Sequence, residues 1–154
     1  MDRDQIKVML EKLKEVQPEE LPEKLIERHG ELRWFEPEER ERPRKLALID
    51  LPAKAINCFL EEMPVGGSSD LHRHYHEAIH YVISGKGYTE IQGKRVEWED
   101  GDFFYIPPWT WHRHYNKHDK PVKMLGIENS RLLERMGNIR RIVSVGQKTF
   151  ADIA

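Results

Sequence analysis

The chain has 154 residues, 34% of them charged and 38% apolar, with a formal charge of −2. That is the size of one domain with its own core, and the near-neutral balance gives no reason to expect nucleic acid or an anionic membrane as partner. The lone Cys58 excludes an internal disulfide, and the charged start Met1-Asp2-Arg3-Asp4-Gln5-Ile6-Lys7 lacks the apolar stretch of a leader, so the expected location is the cytoplasm.

Residues 4–17 read as an amphipathic helix with Ile6, Met9, Leu10, Leu13 and Val16 on one stripe, ended by Pro18. A second helix is expected over 19–29, with Leu21, Leu25 and Ile26 inward and Gly30 as its stop. Residues 36–44 are so charged and proline-broken that they read as a solvated linker. From Lys45 the pattern turns to short strands: 45–49, 54–62, 70–74, 78–84, 87–92, 94–98, 103–106, 111–116 and 121–128. Pro64-Val65-Gly66-Gly67, Gly85-Lys86-Gly87, Gln92-Gly93-Lys94 and Glu99-Asp100-Gly101-Asp102 supply the turns. Evenly spaced short strands call for a sandwich or a barrel. Ser130 is expected to cap a short helix ending at Met136 before Gly137, and the tail from Asn138 to add one edge strand. The expected organisation is therefore a helical segment and linker over 1–44, a β-barrel over 45–128, and a helix and tail over 129–154.

Six of the eight histidines lie between Gly66 and Asn116. Side chains alternate along a strand, so His72 and His74 share a face about 7 Å apart, and so do His112 and His114. Two such pairs on facing strands bring three or four imidazoles to one point, and neutral imidazole suits zinc, copper, iron and nickel.

The frame around these histidines is specific. Gly66 precedes His72-Arg73-His74 by five intervening residues; Gly101 likewise precedes Pro107, followed by Trp109, His112 and Asn116. This resembles the two motifs of the cupin superfamily, with Trp109 where a glycine is usual and Ala78 where the glutamate ligand is usual. The run from Gly101 to Asn116, and His72-Arg73-His74 with Ala78 and Tyr81-Val82-Ile83-Ser84-Gly85, look like the motifs of gentisate 1,2-dioxygenases and related ring-cleaving enzymes. The resemblance covers roughly residues 56–128, one half of a typical two-cupin chain. It implies a mainly β fold, a single jelly-roll cupin barrel with N-terminal helices and a short C-terminal helix. It also implies one divalent transition metal held by His72, His74 and His112. Ferrous iron is expected first, with manganese, nickel, copper or zinc as alternatives. A homodimer is the assembly that cupins lead one to expect.

His114, on the ligand face, is a candidate fourth ligand, proton shuttle or substrate contact. His80 stands where gentisate-type enzymes carry a substrate-binding arginine; it is read as lining the cavity to orient substrate or move protons with His114, with ligation or an ordinary polar core role as alternatives. Glu77 is one residue out of phase with the missing carboxylate, and a one-residue slip turns a strand side chain to the opposite face. It is therefore not expected to ligate. His76 and His118 are read as solvated loop residues, Trp109 and Trp111 as packing, Trp98, Phe103, Phe104 and Tyr105 as core or interface, and Asn116 as ordering the turn after the second motif.

Three facial histidines on a six-coordinate ion leave three positions, two for adjacent substrate oxygens and one for dioxygen. The expected function is an iron(II) dioxygenase-like enzyme cleaving a C–C bond of a hydroxylated aromatic or enolisable small molecule. Its partners are that substrate and O2, with no nucleic acid and no membrane. A lyase, isomerase or hydrolase using the metal as a Lewis acid, and a non-catalytic ligand-binding cupin with a closed site, are the alternatives.

Overall fold

Two antiparallel sheets face each other in the computed structural model, which describes residues 2–14, 20–40, 43–137 and 141–154. The strands are β1 (Trp34–Phe35), β2 (Lys45–Leu48), β3 (Asn57–Met63), β4 (His72–His74), β5 (Ala78–Ser84), β6 (Lys86–Ile91), β7 (Lys94–Glu99), β8 (Phe103–Ile106), β9 (His112–Asn116), β10 (Val122–Glu128) and β11 (Ile142–Ser144). The first sheet runs β1-β2-β3-β10-β5-β8 and the second β11-β4-β9-β6-β7. This is the two-sheet jelly roll expected of a cupin.

Period-2 alternation decides what faces inward. On β5, Ala78, His80 and Val82 are buried while Ile79, Tyr81 and Ile83 look outward. On β10 the inward set is Val122, Met124, Gly126 and Glu128. An apolar cluster of Met63, Ala78, Val82, Trp98, Phe104, Ile106, Val122 and Met124 fills part of the interior, and a histidine-lined cavity takes the rest. Turn chemistry holds the register. Gln92 (φ 49°) and Gly93 (φ 78°) both take the left-handed region that a two-residue β6–β7 hairpin requires. Of the aromatic residues read as core or interface, Trp98 and Phe104 are core, whereas Phe103 and Tyr105 lie exposed on the outer face of β8.

The expected edge strand is present as β11, paired with β4, and it takes the C-terminal segment across the outer face of the second sheet. There Arg113 of β9 donates to the carbonyls of Gln147 and Lys148 at 2.9 and 3.0 Å.

The N-terminal expectations need correction. The first helix is α1 (Arg3–Lys14), with its apolar stripe exposed to solvent; Val16 and Pro18 lie outside the described residues. No helix forms over 20–28, only a 3-10 turn at His29–Glu31 that contains Gly30, and Leu21 is 83% exposed. Pro22 disfavours the helical region for Leu21, and a short helix without a packing partner is unstable in water. The segment read as linker is more ordered than expected. It holds α2 (Pro37–Arg40), entered through the proline at its first position, and it delivers Arg44 to the interior. Strand β1, pairing with Ala47 and Leu46, was not anticipated. Ser130 does not cap the last helix, α3 (Ser130–Arg135); Asn129 holds that position, and the Ser130 hydroxyl instead donates to Glu128 at 2.7 Å. No helix among the described residues is long and apolar enough to cross a membrane.

Candidate metal centre

His72 on β4 stands directly across from His112 on β9, and such cross-strand partners bring their side chains into contact. Their ring centroids are 4.3 Å apart, and His74 lies 5.6 Å from His72 and 4.7 Å from His112. One ring nitrogen from each of the three lies within 4.8 Å of the others. The expected trio is thus brought together.

Each ring is fixed by the backbone. His72 Nδ1 lies 2.8 Å from the Asp70 carbonyl, His74 Nδ1 2.7 Å from that of His76, and His112 Nδ1 2.8 Å from that of Thr110. A carbonyl can only accept, so every Nδ1 donates, and in the neutral ring that leaves Nε2 as the ligand atom. Metal-binding histidines show this arrangement, with the second nitrogen held by an outer partner. Burial, helped by the neighbouring His76, pushes His74 down to about 4. Burial, with the adjacent His72 and His74, pushes His112 well below the ordinary histidine range. The donor set of three imidazoles, each oriented by a backbone carbonyl, fits a divalent transition metal.

His114 and His80 are buried in the same interior but do not join this trio. Their rings lie 4.9 Å apart, and His80 stacks on Phe104 at 4.9 Å. Burial lowers both, with His80 adding to the effect on His114, while Glu61 partly opposes it at His80. Glu77 lies on the outer face, as the phase argument requires, accepting from the Tyr105 hydroxyl at 2.7 Å. Asn116 does more than order one turn: its amide donates to the carbonyls of Met63, Pro64 and Lys120, and its oxygen accepts from His118 N–H at 2.7 Å. His118 sits part-exposed in that loop, 3.3 Å from Asp119.

Trp109 adopts φ 57°, the left-handed conformation that explains why a glycine is usual there and that costs a larger residue about 1–2 kcal/mol. Its N–H donates to the His74 carbonyl at 2.7 Å, and its ring packs on Tyr75. The Arg73 guanidinium lies 4.2 Å from the Trp109 ring and 4.7 Å from Trp111. These tryptophans brace the loop; neither lines the cavity.

His76 is not solvated. It is buried, stacks on His74 at 3.6 Å, and its Nε2 meets Glu128 at 2.8 Å. Glu128 also accepts from Ser130 at 2.7 Å and Asn57 at 3.2 Å. Position 76 continues the parity of 72 and 74, and 128 continues that of 122, 124 and 126. Period 2 would have found both, His76 by carrying the parity past the expected strand end at 74 and Glu128 within the expected strand 121–128. Burial alone would raise the Glu128 carboxyl; the hydrogen bond and charge of His76, with the bonds from Ser130 and Asn57, outweigh it and hold it at about 2. With the folded value below the ordinary 4.5, the unfolded chain takes up this proton first as pH falls. The stabilisation is complete above pH 4.5 and drains away towards pH 2. Glu128→Gln should therefore narrow its stability gap to the native protein over that window, as read by urea midpoints at pH 7, 4.5 and 2.5.

Comparison with known proteins agrees with this construction. The profile of the cupin domain family matches residues 59–128. Gentisate 1,2 dioxygenase 1 of Aquipseudomonas alcaligenes is 41% identical over 58 residues, covering 37% of this chain and 17% of that enzyme. The crystal structure of a salicylate 1,2-dioxygenase from Pseudaminobacter salicylatoxidans superposes with a TM-score of 0.62 at 16% identity, over 69% of this chain and 31% of the other. A cupin 2 conserved barrel protein from Rhodopseudomonas palustris gives 0.52 at 27% identity, over 56% of this chain and 61% of its own. The chain thus spans under a third of the length of these two ring-cleaving enzymes. Family profile, jelly-roll topology and histidine frame converge on one conclusion: the chain carries a cupin domain that resembles those of the gentisate- and salicylate-type ring-cleaving dioxygenases.

Proposed function

We propose that the protein is a metal-dependent cupin enzyme, an iron(II) dioxygenase-like catalyst that cleaves a C–C bond in a hydroxylated aromatic or enolisable small molecule. The observation that carries this reading is the convergence of three histidines, each with Nδ1 on a backbone carbonyl and one ring nitrogen of each within 4.8 Å of the others. His72, His74 and His112 are the residues that would hold the ion. Ferrous iron bound there would supply the redox capacity that dioxygen chemistry needs.

The rest of the cavity supports a small planar substrate. Its volume is about 160 Å³, comparable to an engineered cavity of about 150 Å³ that accepts benzene. Phe59 and the histidines offer ring surfaces, and Arg44 brings a cation to the lining. His80 and His114, kept neutral by burial, are suited to orient a substrate hydroxyl or take its proton. The lone Cys58 is in keeping with a cytoplasmic setting, and a homodimer is the assembly we assign by analogy with cupins.

Oxygen uptake on a panel of hydroxy and dihydroxy aromatic acids tests the proposal. Iron-loaded protein should consume O2 and place both oxygen atoms in the product, and zinc-loaded protein should be inactive, because zinc has no second valence. Anaerobic turnover by the zinc form would overturn the reading and point instead to Lewis-acid chemistry.

A further inference from the structure

Beside the three-histidine cluster, β3 and β5 join β9 in bringing a second set of metal-capable donors together. Glu61 comes from β3, His80 from β5 and His114 from β9. They are 1%, 3% and 1% exposed, and one donor atom of each lies within 4.8 Å of the others. We propose that Glu61, His80 and His114 form a second binding site for a divalent transition-metal ion, separate from the site at His72, His74 and His112.

The first support is a set of polar atoms that the fold leaves unanswered. His80 Nδ1 and Glu61 Oε1 are fully buried with no hydrogen-bond partner among the described residues, and Glu61 Oε2 meets only the Arg44 ion pair. Such groups are rare in folded proteins and point to a missing ligand. Arg44 Nε, 2.6 Å from Glu61 Oε2, balances the charge of the carboxylate but engages only that side. Oε1 faces His80 Nδ1 at 3.7 Å. That gap is too long for a hydrogen bond, but close to what two donors of one ion require. With metal bonds of about 2.0–2.2 Å, tetrahedral donors stand roughly 3.4 Å apart.

The donor types agree as well. Two imidazoles and one carboxylate form the set that binds non-haem ferrous iron and catalytic zinc. Outer partners are also in place. Thr89 Oγ1 lies 2.8 Å from His114 Nδ1 and accepts from Trp98 Nε1 at 2.9 Å. Its remaining lone pair can accept the Nδ1 proton, which leaves His114 Nε2 for the ion. The stack on Phe104 fixes the plane of His80, and Arg44 braces the ligating carboxylate from outside. Metal sites are supported in this way beyond their first ligands.

Two features of the site set its behaviour. Arg44 offsets the charge of Glu61, so the carboxylate gives this site no electrostatic advantage, and an ion entering beside one already held at the three-histidine site binds more weakly. The lone pairs that would take a substrate proton in the singly loaded protein are those the second ion occupies, so the two roles exclude each other.

The test is zinc binding by the full chain, freed of metal by chelation. Titration should show two steps, and crystals grown in excess zinc should give two anomalous peaks, one of them among Glu61, His80 and His114. His80→Gln should lose the weaker step and its peak, whereas His112→Ala should lose the tighter one and keep the peak at the second site. A single peak at the three-histidine cluster in saturating zinc, which needs no variant to read, overturns the proposal, as does a His80→Gln protein that keeps both steps. A peak only at the second site would leave this proposal standing and count against the three-histidine site instead.

Discussion

His112→Ala should leave a folded barrel that no longer holds metal in the three-histidine cluster. The residue contributes one of only three donors, is buried on β9, and faces His72 across the strand pair. The usual carboxylate position cannot replace it: position 78 is alanine, and Glu77 points outward to Tyr105 and Asn129. Loss of an outer partner alone typically weakens a metal site 10–100-fold, so loss of a ligand should cost at least about 100-fold in affinity. Chelator competition, read at the tighter binding step, measures this, with circular dichroism to show that the fold survives. Glu77→Gln is the matched control and should bind as the native protein does. Undiminished tight binding by His112→Ala would remove the basis of the proposed active site, and loss of metal from Glu77→Gln would restore a carboxylate ligand.

The second large effect is on stability. Gly87→Ala should destabilise the barrel by about 3 kcal/mol or more, at the upper end of overpacking costs. Gly87 lies inside β6, between Trp98 of β7 and Asn116 of β9. A methyl group there would meet the Tyr115 carbonyl oxygen at 2.1 Å and the Trp98 ring at 2.5 Å. The first obstacle is backbone in the middle of a sheet, and the second is a ring held by its bond to Thr89; neither can move aside cheaply. A loss of that size should lower the thermal midpoint by roughly 6–12 °C for a chain of this length. A midpoint within a degree of the native protein would mean that the close approach is not real. Gly101→Ala, where a methyl group would meet nothing within 4 Å but φ is 87°, separates backbone strain from this steric clash.

The sequence reader sees the barrel through local chemistry. Strands from Lys45 to Glu128 announce themselves by alternation and by glycines at turns, and the His72, His74 and His112 trio by spacing, because both signals lie within a few residues. What stayed hidden depends on partners far along the chain. Leu21, Leu25 and Ile26 have helical spacing, yet a helix needs a surface to pack against, and the pattern cannot say that none is supplied. Arg44 reads as one more charge in a polar stretch until Glu61, 17 positions on, is seen beside it. Glu61 and Glu128 were legible in principle, since each keeps the inward parity of its strand, but a carboxylate at a core position looks like a strand end until its partners are known. His76 was lost in the same way, by stopping β4 at His74.

The carbonyl clamps on His72, His74 and His112 have a kinetic consequence. Because Asp70, His76 and Thr110 settle the ring orientations as the chain folds, no side-chain rotamers remain to be frozen when an ion arrives. The entropy loss falls on folding rather than on binding, so an ion should enter without a slow conformational phase. Its exchange should then be limited by escape from the cage, not by reopening of the barrel. Different ions can thus be compared in one unchanged framework, without refolding the chain around each.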